Sequence, residues 1–167
     1  MYVGFIFVGT YMGYAVGSAP VISYHYGAGN KDELKNLFKR SLTIIIVSSV
    51  VMTLIAEIIA GYLAGIFVSY DNNLLELTTE AIRIYAVSYL ISGVNIFASS
   101  FFTALNNGVV SAVISFMRMF VFQIVMILLL PVVLGISGIW TAVIAAEVLS
   151  VVISVMFLVK NRKKYSY

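Results

Sequence analysis

The sequence predicts an all-α, polytopic membrane helix bundle with five transmembrane helices. Of its 167 residues, 62% are hydrophobic and only 10% are charged, whereas a soluble domain carries about 25% charged residues. Crossing a bilayer as a helix takes about 20 largely apolar residues, and uncharged runs of at least that length fill most of the chain. Barrel strands would alternate in polarity over about ten residues, but these runs are longer and apolar on all sides.

Charges and turn signals divide the chain into its predicted spans. The first charged residue is Lys31, so residues 2–24 form one apolar run. Asn-Asn-Gly at 106–108 and the segment around Pro131 interrupt two uncharged runs that are too long for one crossing. We therefore predict one unit over residues 1–167, with helices at 2–24, 41–68, 79–105, 109–133 and 138–159 and a basic tail at 160–167.

The basic residues predict the orientation of the helices. The connection 25–40 and the tail 160–167 are rich in Lys and Arg, whereas the connection 69–78 contains acids and no basic residue. Only Arg83 departs from this asymmetry. By the positive-inside rule, the basic connection and the C-terminus are cytoplasmic, in a multi-pass plasma-membrane protein. Met1 then lies outside without a signal sequence, so we expect an earlier helix upstream.

Several function classes are disfavoured by composition. The chain has no cysteine and one histidine, His25, so we expect no disulfide and no metal site. The basic residues cluster beside apolar runs, which indicates membrane orientation rather than nucleic-acid binding. The GAGN sequence lacks the spacing of a phosphate-binding loop, and Gly27 or Gly29 is instead expected to end a helix. No nucleophile with a base is evident, so we expect no catalytic residues and no enzyme.

Two charged residues lie inside predicted spans. Glu147 is near the centre of the fifth helix, and Arg118 lies about 12 Å into the fourth, at 1.5 Å per residue. The two helices are antiparallel neighbours, and Glu147 comes to about 18 Å from the same end. A long arginine spans that difference, so we predict an ion pair. The pair is either structural or part of a substrate- or proton-binding site, because charge inside a bilayer is costly.

Other polar residues inside the spans are further candidates for substrate or ion binding. Glu57 lies in the second helix, where it either bonds a neighbouring helix or faces a cavity rim. Asn95 and Gln123 lie near mid-membrane, where interhelical hydrogen bonds are their usual role. Arg83, near the outer boundary, is expected to extend its charge towards water.

Small residues mark one face of the first helix. Gly9, Gly13 and Gly17 repeat every four residues. Such spacing lets lipid-embedded helices approach closely, so we expect static packing. The alternative is that this face lines a cavity and leaves room for bulky substrates.

Four stretches, in order, resemble the multidrug and toxic compound extrusion (MATE) family. They are GSAPVISYHYGAGNKDELKNLFKRSL at 17–42, IFVSYDNNLLELTTEAIRIYAVSYLISGVN at 66–95, FFTALNNGVVSAVISFMRMFVFQIVMILLLP at 101–131 and GISGIWTAVIAAEVLS at 135–150. The resemblance implies twelve helices in two six-helix lobes, of which this chain would be the last five. MILLLP at 126–131 replaces the Asn-x-x-x-Asp pattern of an N-terminal lobe, which favours the C-terminal lobe.

The resemblance also implies a function. Such transporters are secondary antiporters that export amphipathic, often cationic compounds in exchange for H⁺ or Na⁺, without another cofactor. The implied partners are the lipid bilayer, small amphipathic substrates, the N-terminal lobe and the preceding helix. Some members use an acid in the helix equivalent to the third one here, but residues 84–105 contain none. A lipid-linked-oligosaccharide flippase of the same superfamily and a small membrane scaffold or accessory protein are the alternatives.

The topology is testable because the chain is free of cysteine. We expect a cysteine at Asn72 to react with a membrane-impermeant maleimide in intact cells. A cysteine at Lys35 should react only after the cells are made permeable. The reverse pattern would show that the orientation is inverted.

Overall fold

The computed structural model describes residues 2–167, with side chains from Gly4 onward. Five helices in this part of the chain are long and apolar enough to cross a membrane. The predicted all-α membrane fold is therefore confirmed. The elements are α1 (Tyr2–Gly27), α2 (Lys31–Val68), α3 (Asn72–Ala104), α4 (Gly108–Phe116), a π-helical segment (Met117–Phe122), α5 (Gln123–Leu134) and α6 (Ile136–Tyr165).

The connections are shorter than predicted. Residues 31–40, predicted as part of a loop, form the first turns of α2. Asn30 caps that helix, because its side-chain oxygen accepts a hydrogen bond from the backbone N–H of Glu33 at 3.2 Å. Asp71 caps α3 in the same way. Helix α3 therefore begins at Asn72, inside the segment 69–78 that was predicted as a connection. Both helices thus begin at their capping residues and not where the apolar run starts.

Glycines form two of the turns. Gly27 ends α1, and Gly29 adopts a left-handed conformation with φ of 69°, as the sequence predicts. The backbone N–H of Asn30 donates to the carbonyl of His25 at 3.0 Å and closes this turn. Gly135 alone separates α5 from α6, with φ of 62°. A positive φ is adopted most readily by glycine, so both turns favour glycine at these positions.

The fifth helix extends past its predicted end at 159, because α6 continues through most of the basic tail to Tyr165. Tyr165 and Tyr167 are both buried. The Tyr167 hydroxyl donates to the carbonyl of Leu158 at 2.8 Å, and its ring lies 4.9 Å from that of Phe101. The apolar pattern ends near residue 159, but the aromatic contacts extend the folded structure to the last residue described.

Helix α3 lies at the centre of the bundle and packs against α1, α2, α4 and α6. In its most apolar stretch of 18 residues, 50% of the residues are buried, whereas only 6% are buried in the corresponding stretch of the span Gly108–Leu134. The turns α1–α2 and α3–α4 and the last turn of α6 lie at one end, which we call the basic end. The turns α2–α3 and α5–α6 lie at the opposite end. Ser23 near the basic end of α1 donates to the carbonyl of Ala104 on α3 at 2.9 Å.

On α2 and α6, small residues form much of the buried surface, and many large aliphatic residues of the bundle face outward. Besides Glu147 and Tyr165, the buried residues of α6 recur at every fourth position, and they are Gly138, Ala142, Ala146, Ser150, Ser154 and Leu158. The stripe on α2 contains Ser49, Ala56, Ala60 and Ala64. In lipid, close backbone approach and not hydrophobicity drives helix association, which explains why the interfaces are built from small side chains.

We expect Gly138→Ala to lower the thermal unfolding midpoint of the purified chain, whereas Gly13→Ala should not. A methyl group at Gly138 would overlap the carbonyl oxygen of Leu130 and approach Cα of Pro131 to 2.8 Å. Overpacking of this kind costs about 1–3 kcal/mol. A methyl group at Gly13 meets no atom within 4 Å among the described residues. Equal unfolding midpoints for the two variants would contradict this packing.

Candidate functional site

The predicted ion pair between Arg118 and Glu147 is present. Nη2 of Arg118 lies 2.8 Å from Oε1 of Glu147. Nε of Arg118 donates to both carboxylate oxygens, at 3.0 and 3.1 Å. Glu147 is 7% exposed, so the pair is largely shielded from the surroundings of the bundle. Paired and hydrogen-bonded charges of this kind are the arrangement that a low-dielectric interior tolerates.

Asn95 binds the same carboxylate from α3. Its Nδ2 donates to Oε2 of Glu147 at 2.7 Å and to the Glu147 backbone carbonyl at 3.2 Å. Its Oδ1 accepts a hydrogen bond from the Ser154 hydroxyl at 2.9 Å. Asn95 is fully buried, and both ends of its amide are used. Glu147 and Ser154 lie two helical turns apart on α6, and both bind the side chain of Asn95 on α3.

Arg118 lies in the π-helical segment Met117–Phe122. The fourth span changes its packing partner at this segment, since α4 packs on α3 and α5 packs on α6. The sequence signalled a single straight helix at 109–133, and this interruption was not predicted. Segments of π-helix inside α-helices are rare and are frequent at functional sites. Here the segment carries the only basic residue of the span.

A cavity of about 310 Å³ adjoins this network, between α1 and α4 and over α3. Asn95 and Arg118, the two side chains that hold Glu147, both line it. One wall is apolar and consists of α1 residues such as Val8 and Met12. We call this space the network cavity. It offers an apolar surface on one side and polar groups on the other, which suits an amphipathic ligand.

Hydroxyl groups extend the polar wall towards the basic end. The Ser99 hydroxyl lies 2.7 Å from that of Ser115 and 2.9 Å from that of Ser111. The Ser111 hydroxyl lies 2.7 Å from that of Thr103. Sequence reasoning missed these residues and Ser154. A signal existed, because Ser111, Ser115 and Arg118 recur at helical spacing on one face of an otherwise apolar span.

The remaining polar candidates lie apart from the network. Glu57 lies on α2 with its Oε2 3.9 Å from Nε of Arg83 on α3. Arg83 is therefore near an acid and does not only extend towards water as expected. Gln123 is the first residue of α5 and is half-buried. Neither Glu57 nor Gln123 contributes to the network around Glu147.

The glycine face of α1 contacts no other helix in the described part of the chain. A Cβ atom added at Gly9, Gly13 or Gly17 would meet nothing within 4 Å. The expected static packing therefore finds no support within these residues. Their neighbours Val8, Met12 and Val16 line the network cavity, so the cavity-face alternative stays a proposal.

We expect Glu147→Met and Arg118→Met each to destabilise the chain strongly, and the double variant to regain most of the loss. Removing one partner of a buried pair costs about 3–5 kcal/mol, whereas apolar replacement of both is often nearly neutral. Thermal unfolding in detergent measures this. Arg83→Met is the control, because its exposed pair should contribute less than about 1 kcal/mol. Additive losses in the double variant would show that the two charges are not coupled.

Comparison with known proteins agrees with this architecture. The family model MatE matches residues 1–129. The solved structure of the Vibrio cholerae MATE transporter VcmN in the bent form superimposes with a TM-score of 0.86 at 17% sequence identity. The match covers 96% of this chain and 36% of that one, so the chain spans about a third of the solved transporter. A search of curated proteins finds no significant match. The chain belongs to the MatE family of membrane transporters.

Proposed function

We propose that this chain is part of a secondary active multidrug efflux antiporter. The complete transporter exports amphipathic, often cationic compounds in exchange for H⁺ or Na⁺. The observation that carries the proposal is the shared use of two side chains. Arg118 and Asn95 line the network cavity and also hold the buried carboxylate of Glu147.

Antiport requires that the binding of substrate and the binding of ion influence each other. Such coupling is a free energy that links two sites and acts in both directions. A substrate in the network cavity contacts Arg118 and Asn95 and alters their hold on Glu147. Protonation of Glu147, or an approaching Na⁺, weakens its pair with Arg118 in turn. The network therefore links the cavity to a carboxylate that lies behind the cavity wall.

Glu147 is the proposed carrier of the coupling ion. The family resemblance places an acid in the third helix of some members, but residues 84–105 have none. Asn95 on that helix instead donates to Glu147 at 2.7 Å. We propose that Glu147 on α6 binds the coupling ion in place of an acid on α3, and that α3 contributes only the neutral donor Asn95.

The chain corresponds to one part of a two-lobed machine. Alternating access moves two halves around a site near the midplane, and this chain spans about a third of the solved transporter. We propose that it forms the C-terminal-lobe portion and works with an N-terminal lobe and a preceding helix. The exposed face at Gly9, Gly13 and Gly17 is then available to line the space between the lobes.

The charge of the cavity disfavours a lipid-linked-oligosaccharide flippase. A pyrophosphate group requires unpaired cationic side chains, and Arg118 is the basic residue among the described lining residues of the network cavity. Its charge is already neutralised by Glu147 at 2.8 Å. A scaffold or accessory protein would use the pair only to hold its helices together, whereas the cavity beside the pair supports transport.

The test is ion-driven ethidium efflux from proteoliposomes that contain the complete two-lobed transporter. We expect Glu147→Gln to abolish the dependence on the H⁺ or Na⁺ gradient. Glu76→Gln, an exposed acid near the start of α3, should behave like the unchanged protein. The isolated chain should give no gradient-driven efflux.

Two outcomes would contradict the proposal. Full gradient dependence in Glu147→Gln would exclude this carboxylate as the carrier. Robust efflux by the isolated chain would show that it assembles into a transporter by itself. The double variant Arg118→Met/Glu147→Met distinguishes a coupling role from a structural one. If the variant folds but its efflux no longer depends on the ion gradient, the pair takes part in coupling. If it folds and efflux still depends fully on the gradient, the pair is structural.

A further inference from the structure

The basic end of the bundle carries most of the charge in the chain. Eight of the ten basic residues lie there, in the first turns of α2 and the last turns of α6, together with only two of the seven acids. This end therefore carries a net charge of +6, whereas the whole chain carries +3. All eight basic residues are exposed, and they are Lys31, Lys35, Lys39, Arg40, Lys160, Arg162, Lys163 and Lys164.

These positive charges are not neutralised by the bundle itself. Among the residues that the structure describes, the ion pairs within 4.0 Å are those of Arg118 and Arg83, and neither pair includes a residue of the basic end. The two acids at this end, Asp32 and Glu33, occupy the first turn of α2, where a negative charge favours the positive end of the helix dipole. Unpaired charges of one sign on one surface raise the local potential and attract anions.

Aromatic contacts join the two basic segments into one surface. The ring centre of Tyr167, just after α6, lies 4.8 Å from that of Phe38 on α2. The ring centre of Tyr165 lies 5.6 Å from that of Tyr26 at the end of α1. Segments far apart in the chain are therefore neighbours in the fold. The positive-inside rule does not require this meeting, because it concerns only the side of the membrane on which basic residues lie. We call the exposed basic residues of 31–40 and 160–164 the basic surface.

The packing of α2 fixes the position of its lysines. Leu34 is buried, and Phe38 packs against the hydrophobic core. Lys31, Lys35 and Lys39 recur at every fourth residue, so they lie one above the other along one exposed side of the helix. Because their neighbours are held in the core, these three charges form a row with a defined place on the surface.

The basic surface adjoins the part of the bundle that faces lipid. Exposed aliphatic residues of α2 begin at Ile44, about 7.5 Å along the axis from Lys39 at 1.5 Å per residue. On α6, the exposed Val159 is followed directly by Lys160. Tyr24 is exposed near the end of α1, and tyrosine is enriched where a membrane meets water. The basic side chains thus lie at the level of the phospholipid headgroups.

We propose that the basic surface binds the phosphate groups of anionic phospholipids. Clusters of Lys and Arg directly beside membrane helices are the pattern that recognises such lipids. A headgroup held by both segments joins the start of α2 to the end of α6 and so stabilises this end of the bundle. The proposal involves neither the network cavity nor Glu147, and it does not depend on the antiport proposal.

Native mass spectrometry of the purified chain measures phosphatidylglycerol binding directly. The loss of one Lys or Arg at a membrane surface weakens the binding of anionic lipid about fivefold. We therefore expect Lys35→Gln/Lys39→Gln and Arg162→Gln/Lys163→Gln each to weaken phosphatidylglycerol binding by about tenfold or more. Phosphatidylcholine, which has no net charge, should bind weakly to all three proteins. A loss in only one of the two variants would show that the segments do not act together and would overturn the proposal.

Two control variants separate this surface from a general effect of charge. Lys35→Arg/Lys39→Arg keeps both charges and should bind phosphatidylglycerol like the unchanged protein. Arg83→Gln removes an exposed basic residue near the opposite end, where Glu57 already lies 3.9 Å away, and it should also leave binding unchanged. A fivefold loss in Arg83→Gln would show that binding follows net charge alone, which contradicts a defined surface.

Thermal unfolding in nanodiscs tests the effect on the fold. Replacing part of the phosphatidylcholine by phosphatidylglycerol should raise the unfolding midpoint of the unchanged chain. High salt should reduce this gain, because it screens exposed charges. The variant that combines the four Gln substitutions should lose the gain, and unfolding in phosphatidylcholine alone shows that this variant is folded. A gain that persists in the fourfold variant would show a general membrane effect and would overturn the proposal.

Glycerol 3-phosphate distinguishes a lipid from a free phosphate. Added to phosphatidylcholine nanodiscs, it presents the same phosphate chemistry without acyl chains, and it should leave the unfolding midpoint unchanged. A gain equal to that from phosphatidylglycerol would show a site for soluble phosphates and would exclude the lipid as the specific partner.

Discussion

The carboxylate of Glu147 imposes the strongest constraint on this fold. A charge inside a bilayer has no water to solvate it, so its partners have to come from the protein. Arg118 on the fourth span and Asn95 on α3 provide them, and Ser154 on α6 holds Asn95 in place. Three helices are tied at one point. Their register follows, because a slip of one residue would separate the charges.

Small residues form much of the buried surface of α2 and α6. The buried stripe on α6 recurs every fourth residue from Gly138 to Leu158, and the stripe on α2 includes Ala56, Ala60 and Ala64. Close backbone approach replaces the hydrophobic drive that lipid removes. The same rule accounts for the large aliphatic residues on the outside, since lipid solvates them as well as a protein core does.

The network cavity lies between α1 and α4 and over α3, and the hydroxyl groups of Ser99, Ser100 and Thr103 line it beside Arg118. The proposed coupling of a ligand to the buried carboxylate uses this juxtaposition. At the opposite end, small residues such as Ala56 and Ala81 line an apolar cleft among α1, α2, α3 and α6, and its described lining residues carry no charge.

The break in the fourth span connects these features. Up to Phe116 the helix follows α3, and from Gln123 it follows α6. The π-helical segment between them carries Arg118, which pairs with Glu147 on α6. The ion pair and the change of packing partner thus occur at the same segment.

The sequence alone determined the fold class, the number of spans and the pairing of Arg118 with Glu147. These follow from local quantities, namely the lengths of apolar runs, turn residues and depth along a helix at a fixed rise. It placed Asn95 near mid-membrane but did not join it to Glu147, because that contact depends on how α3 rotates about its axis. It did not locate the starts of α2 and α3, since Asn30 and Asp71 cap helices within polar segments.

Only the tertiary structure decided which small-residue stripes pack. The glycines at 9, 13 and 17 have the spacing of an interface, but their face is open, whereas the stripes on α2 and α6 are buried. Spacing shows that a face permits close approach, and the presence of a neighbour decides whether approach occurs. The apolar cleft among α1, α2, α3 and α6 has the same origin, because only tertiary packing brings these four helices together.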